Sequence, residues 1–380
     1  MTDIWLTIGE RDFGGWVRLR AERSVDKACS QFGLVATRNW PGGNRAWDIA
    51  PGDAVELRID DALVATGWID NLSPGYDAGY HTIEISGRGK VCDLVDCSYV
   101  GPPNQWKQAD PKQLITQIAA QHQIKVNFDV DLGEPLDFNL QPGESCWEAI
   151  ERITRLRQVL VYDQPDGSLL VTRVSEEFCP TELVQGGNIL TANATLDDKD
   201  RFSVYIVKGQ QKATKGAAKD VAQSVGEVRD PSVTRYRPMV IVQSAETDNG
   251  HAMRRAEWEK QNRWGNGRIA EIKVQGLLQP NGEAWPVNRL VRIEDAWLGV
   301  DRELAIAKVA VELGSAGSTT TLSLQPPEAL TPEPAELKKG TTKGGKKKGG
   351  GGDGGGGDGF WQQTENARAT GEARRTVSKQ

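Results

Sequence analysis

The stretch AVELRID (54–60) alternates apolar and polar residues, runs into an Asp60-Asp61 turn, and gives way to ALVATGWID (62–70). A period of two sends successive side chains to opposite faces, so this segment is committed to a sheet with one buried face. YHTIEISG (80–87) alternates again beyond the turn-forming SPGYDAG. Short antiparallel strands joined by tight turns predict a small β-barrel or sandwich over residues 1–100.

The period then changes. ADPKQLITQIAAQHQ (109–123) spaces Leu114, Ile115, Ile118 and Ala119 along one helix face, with Asp110 as N-cap and Pro111 at the first helical position. IKVNFDV (124–130) alternates as a strand, GESCWEAIERITRLR (143–157) reads as a second helix, and QVLVYDQPDGSLLVTRV reads as a hairpin turning at Asp166-Gly167. Residues 101–175 therefore form an α+β module of ordinary small-domain size.

Strands return over 176–325. LVQGGNILTANATLDD and RFSVYIVKG lead into TKGAAKDVAQSVGEVRDPSV (214–233), whose small and polar residues predict a mobile loop. A helix follows over 247–267, with Asp248 near its start and Met253, Ala256 and Trp264 among its apolar positions. RIAEIKVQGLL, NRLVRIEDAWLGV and RELAIAKVAVELG complete the set. The fold class is thus β-rich α+β: two small β-barrel domains, an inserted α+β module, and a tail over 326–380. Within it ELRIDDALVATGWID (56–70) echoes LVRIEDAWLGVDREL (290–304), placing Arg58-Ile59-Asp60 over Arg292-Ile293-Glu294. A duplicated barrel accounts for the echo, and so does the tendency of hairpins to converge on such patterns.

From residue 326 proline gives way to lysine and then to nearly pure glycine, a composition unable to offset its chain entropy by burial and expected to be a flexible linker. FWQQTENARATGEARRTVSKQ beyond it reads as a tethered peptide. The net charge is −6, and the segment after Gln325 holds ten Lys/Arg against seven Asp/Glu, so the rest of the chain stands at −9. An acidic body gives no electrostatic reason to bind nucleic acid. No apolar run approaches the roughly 18 residues that span a bilayer, so no membrane anchor is expected. MTDIWLTIGERDFGG shows no secretory pattern, which points to cytoplasmic synthesis and assembly. Five scattered cysteines (Cys29, Cys92, Cys97, Cys146, Cys179) read as reduced, mostly buried thiols.

SGRGKVCDLVDCS (86–98) admits three chemistries on its face: a phosphate loop, a metal half-site, and a strand running into a helix. Gly87-Arg88-Gly89-Lys90 lacks the glycine spacing and the following Ser/Thr of a phosphate loop, and Cys92 stands where a dinucleotide motif needs glycine. Cys92 and Cys97 lack a second ligand pair, because His81, His122 and His251 are scattered and a structural zinc needs four ligands. No G-x-S-x-G motif marks a nucleophile. VCDLVDC then reads as a short helix with Val91, Leu94 and Val95 inward and Asp93 and Asp96 in solvent. The chain is not an enzyme on this reading, with no catalytic, cofactor-binding or metal-binding residues and no cofactor. Among twelve tryptophans, Trp5, Trp16, Trp40, Trp47, Trp68, Trp285 and Trp297 lie in or beside strands, where core or subunit packing is the default and carbohydrate binding the alternative.

The run ATGWIDNLSPGYDAGYHTIEISGRGKVCDLVDCS resembles the tail baseplate hub proteins of contractile-tailed bacteriophages of the Mu type. The features that carry the likeness are Gly67-Trp68-Ile69-Asp70 on a strand, Tyr76-Asp77 in a turn, a strand from His81, Gly87-Arg88-Gly89 at its end, and Asp93-Leu94-Val95-Asp96 opening the next segment. It extends through GESCWEAIERITRLRQVLVYDQPDGSLLVTR and covers about residues 1–325. The resemblance implies a structural homotrimer whose subunits each supply two related barrels, giving a pseudo-six-fold ring around a channel that joins the six-fold tail tube to the three-fold central spike. It implies contacts with the tube protein, the spike protein and other baseplate proteins, location in the virion tail baseplate, and a role in host cell entry. A contractile injection machine would use the same hub. On this pattern Gly87 and Gly89 let the strand turn sharply, Lys90 is solvated, and Cys92 and Cys97 are small core residues. The Lys/Gly tail has no counterpart in it. The rival readings are a tail-associated cell-wall hydrolase and a carbohydrate-binding β-protein.

Overall fold

A computed structural model describes residues 2–37, 48–78, 81–210, 223–246 and 249–334. Trp40, Trp47, Asp248, the first part of the expected mobile loop (214–222) and the tail from residue 335 lie outside the described residues. Among the described residues no helix is long and apolar enough to cross a membrane.

The N-terminal third supplies β1 (Ile4–Ile8), β2 (Arg11–Phe13), β3 (Arg18–Ser24), β4 (Gln31–Thr37), β5 (Ala54–Ile59), β6 (Ala62–Tyr76) and β7 (His81–Gly89). After the short helix α1 (Cys92–Asp96) come β8 (Gln105–Ala109), α2 (Pro111–Ala120), β9 (Val126–Phe128), β10 (Leu136–Asn139), α3 (Cys146–Arg157), β11 (Leu160–Asp163) and β12 (Leu169–Thr172). The remainder consists of β13 (Leu183–Val184), β14 (Ile189–Leu196), β15 (Val204–Gln210), β16 (Gln223–Arg229), β17 (Pro238–Glu246), α4 (Asn249–Asn266), β18 (Arg268–Gln275), β19 (Leu290–Asp295), β20 (Val300–Gly314), β21 (Gly317–Gln325) and α5 (Pro327–Leu330).

One sheet of thirteen strands organises the molecule, in the order β14-β18-β21-β20-β3-β4-β7-β6-β5-β1-β2, with β19 beside β20 and β13 beside β19. Alternation decides which side is buried: Leu34, Leu57, Ile69 and Ile85 share one apolar cluster with Ile272, Ile293, Ile306 and Leu322. The echo seen in the sequence is a real structural repeat. β5, β6 and β7 have 6, 15 and 9 residues, and so do β19, β20 and β21. Each 15-residue strand pairs first with the short strand before it and then with the strand after it, and each carries a register shift, at Asp70 in β6 and Ala307 in β20. The register corrects the sequence match by two residues: Ala54 faces Trp68 as Leu290 faces Ala305, which puts Glu56, not Arg58, in the place of Arg292. A two-residue slip keeps every side chain on its own face, so the misaligned echo still read the correct pattern.

The α+β module has its own core, in which Leu114, Ile115 and Ile118 of α2 meet Ile150 and Ile153 of α3. Asp110 accepts the Lys112 N–H at 2.9 Å with Pro111 at the first helical position. Ser145 and Glu148 form a reciprocal capping box that starts α3. Val91 and Leu94 bury in this same core, so α1 packs with the module and not with the strands that precede it.

Two expectations fail in the C-terminal third. The mobile loop contains β16, which pairs along β15, while β17 runs parallel on the other side of β15. α4 covers one face of this three-stranded sheet, burying Tyr205, Val207, Ala252 and Ala256. Gly226 is the contact point: a Cβ there would run into the Ala252–Met253 backbone, which explains the small residues that resembled a loop. Nor does the tail begin at residue 326. Leu330 is buried, Trp258 donates to the Thr331 carbonyl at 2.8 Å, Asn262 donates to the Ala329 carbonyl, and Arg255 pairs with Glu333.

Candidate assembly surface

SGRGKVCDLVDCS resolves as a strand entering a helix. Gly87 and Gly89 do not make a turn, since both lie within β7, paired with Ile69 and Gly67. They answer to close approach: a Cβ on Gly87 would sit 2.9 Å from Phe32 Cε2, and one on Gly89 2.6 Å from Asp163 Oδ2. Lys90 is half-buried, with Nζ donating to the Gln123 carbonyl at 3.0 Å, which ties β7 to the module. Arg88 bridges Asp70 (2.7 Å) and Asp96 (2.8 Å), and the hydrogen bond it donates to Asp70, followed by that to Asp96, holds the guanidinium in its charged form. Asp93 is not simply solvated, for it accepts the Trp68 indole N–H at 3.1 Å.

Among the described residues three buried or half-buried thiols are held in their protonated form, and one of them meets an imidazole. Burial pushes the Cys29 and Cys146 thiols up to about 11 and the Cys92 thiol up to about 12, so these sulfurs are protonated near neutral pH and are poor nucleophiles. His122 Nε2 lies 3.8 Å from Cys146 Sγ, His81 stacks on Tyr76, and His251 sits in α4. Among the described residues no group of three His, Cys, Asp or Glu could hold a metal. A concavity of about 690 Å³ above the junction of β3 and β20 is lined by Arg18, Arg20, Glu84, Lys273 and Glu312, with no His or Cys. Of the tryptophans, Trp16 and Trp285 are buried in the core while Trp297 is 87% exposed at the β19–β20 turn.

What the geometry offers is an edge-to-edge joint. β3 of the first repeat pairs antiparallel with β20 of the second, from Leu19↔Leu313 to Ser24↔Lys308. Leu19, Ala21, Val309 and Val311 are buried along this line. On the opposite face Lys308 and Lys27 converge on Glu22 at 3.0 and 2.6 Å. Burial acts to raise the Glu22 carboxyl, but these lysines outweigh it and hold the group below its usual range. Each repeat also keeps an edge that meets no described strand: β14 pairs only with β18, and the half of β6 beyond Ile69 pairs only with β7. Leu196 (75% exposed) and Tyr76 (83%) stand there. The sequence reading missed these edges, although ILTANATL shows their signal, with Ala192, Ala194 and Leu196 alternating with the polar Thr191, Asn193 and Thr195.

Among the described residues the chain is mostly β and is built from two related units joined in one sheet, an architecture of edges and repeats that suits an assembly protein. Family models place it further. Residues 3–89 match the N-terminal domain of Mu phage baseplate assembly protein GpP-like proteins, 91–173 the second domain of baseplate hub protein gp44-like proteins, and 248–333 the fourth domain of Mu phage baseplate assembly protein GpP. The chain is 32% identical over 337 residues to baseplate hub protein gp44 of Escherichia phage Mu, covering 86% of this chain and 88% of that one. Its structure is similar to the 43 kDa tail protein of prophage MuSo2 from Shewanella oneidensis, with a TM-score of 0.77, 30% identity, and 87% and 99% of the two chains covered. The tail protein from Neisseria meningitidis MC58 shares the fold at a TM-score of 0.74, with 22% identity and coverage of 87% and 98%. The chain belongs to the Mu-type baseplate hub family. It is a structural protein of the phage tail baseplate and not an enzyme.

Proposed function

We propose that three copies close into a ring of six related units around a channel, and that this ring joins the six-fold tail tube to the three-fold central spike. The observation that carries the reading is the duplication itself: one chain contains two units, each with three successive strands of 6, 15 and 9 residues, already joined edge to edge. Three such chains give a ring that is six-fold in its repeated strands. It is three-fold in everything present once per chain, namely the module, the α4 layer and the Trp297 turn. A body of this kind fits one partner of each symmetry. Assembly takes place in the host cytoplasm before the tail acts in host cell entry, the ring contacts other baseplate proteins, and its role needs no cofactor, metal or catalytic residue. Electron microscopy of the purified protein tests this: end-on averages should show six lobes around an opening, and particles without an opening would refute it.

A further inference from the structure

The internal joint can be carried over, residue by residue, onto the two unpaired edges. The register shifts at Asp70 and Ala307 align β6 with β20, so Leu72, Pro74 and Tyr76 hold the places of Val309, Val311 and Leu313. In the same way β14 corresponds to β3. Phe32 and Ala270 face Gly87 and Leu324, themselves equivalent, and their outer neighbours are Ala21 and Ala194. Ala192, Ala194 and Leu196 therefore hold the places of Leu19, Ala21 and Arg23.

We infer that β6 of one subunit pairs antiparallel with β14 of the next, in the register of the internal joint: Leu72 opposite Leu196, Ser73 opposite Thr195, Pro74 opposite Ala194, and Tyr76 opposite Ala192. This rests on the ring proposed above and names the surface that closes it. Three observations carry it. The residues that would turn inward are apolar on both edges, matching the buried Leu19, Ala21, Val309 and Val311 of the internal joint, yet Leu196 and Tyr76 are largely exposed in the single chain. The residues that would face the other way carry no large apolar side chain: Ser73, Asn193 and Thr195 are polar and Gly75 has no side chain. Finally, the edges are complementary in their hydrogen bonding. Val25 donates to the Ala307 carbonyl at 2.9 Å, so by alternation Val309, Val311 and Leu313 direct their backbone groups at β3, and Leu72, Pro74 and Tyr76 direct theirs outward. Pro74 removes one donor from the row, which leaves its carbonyl to accept from Ala194 and guards the edge against indiscriminate pairing before assembly. An edge that joins β14 of its neighbour is heterologous, as a closed ring requires.

Cysteine pairs test the register. Ser73 and Thr195 form a non-hydrogen-bonded pair in this arrangement, the closest cross-strand position and one compatible with a disulfide. The double variant S73C/T195C, oxidised and run without reductant, should give a covalent trimer near 125 kDa, three times the 41.5 kDa chain. S73C/N193C, displaced by two residues, should give about tenfold less or lower, because diagonal positions lie too far apart. A variant that remains trimeric by light scattering but does not cross-link overturns the edge pairing while leaving the ring intact. A monomeric wild type and variant overturn both. Leu196→Lys provides a second route: the single chain should keep its thermal midpoint, while association weakens by about thirtyfold or more per joint. Unchanged association refutes the pairing.

Discussion

Gly87 is the most demanding position in the motif, and replacing it with alanine puts a number on the packing argument. Its backbone is an ordinary strand paired with Ile69, so the cost of a side chain is steric and not conformational. An alanine Cβ would lie 2.9 Å from Phe32 Cε2 and closer still to Phe32 Cζ and the Trp68 carbonyl oxygen. The carbonyl belongs to β6, which is fixed on both flanks by β5 and β7 at this point, and Phe32 is only 4% exposed, so neither neighbour has room to retreat. Overpacking against a fixed backbone costs about 3 kcal/mol, roughly 5–10 °C in thermal midpoint for a chain of this size. Gly33→Ala on the adjoining strand is the control. There the nearest atom is the Ile85 carbonyl at 3.8 Å, and the change should fall within about 1 kcal/mol of wild type, on the stabilising side if anything. Thermal unfolding followed by tryptophan fluorescence separates the two variants. Equal midpoints for Gly87→Ala and Gly33→Ala would refute the reasoning.

Truncation after Glu333 should leave the melting of the body unchanged, whereas truncation after Gln325 removes the buried Leu330 and the bonds to Trp258 and Asn262 and should cost about 3–5 kcal/mol in calorimetry. Thiol labelling at pH 8 should find Cys92 and Cys146 nearly inert in the folded protein and reactive once unfolded by urea; fast labelling of either in the folded state would contradict their raised values of about 12 and 11. Glu22 and Asp198 have folded-state values below those of the unfolded chain. In Glu22 burial opposes the shift and Lys27 and Lys308 overcome it, while in Asp198 the hydrogen bond from Arg268 leads. Their contribution is complete above about pH 5 and is lost as the pH falls through the depressed folded values, so urea midpoints should drop between about pH 5 and pH 3, and less so in Glu22→Gln.

Strand content was legible because alternation and acidic turns are local signals, and the helices were legible from Asp110-Pro111 and the Leu114-Ile115-Ile118 spacing. The repeat was visible but two residues out of register, because the shifts at Asp70 and Ala307 depend on which neighbour each half of a long strand meets. β16 reads as a loop in the sequence, since Gly226 is small to admit the α4 backbone and Ser224 is buried on the same face. The glycines of SGRGK misled in the same way: a glycine chosen for a turn and one chosen for a close neighbour look identical until Phe32 and Asp163 are in place. The unpaired edges of β6 and β14 were hidden for a deeper reason, since an unpaired edge is a property of the finished sheet.

The central claim is that the chain works as a ring of three. The molar mass of the full-length protein by light scattering, followed over a hundredfold dilution at moderate salt, tests it most directly. A mass near 125 kDa that persists on dilution is the expected result, and 41.5 kDa at every concentration would contradict it.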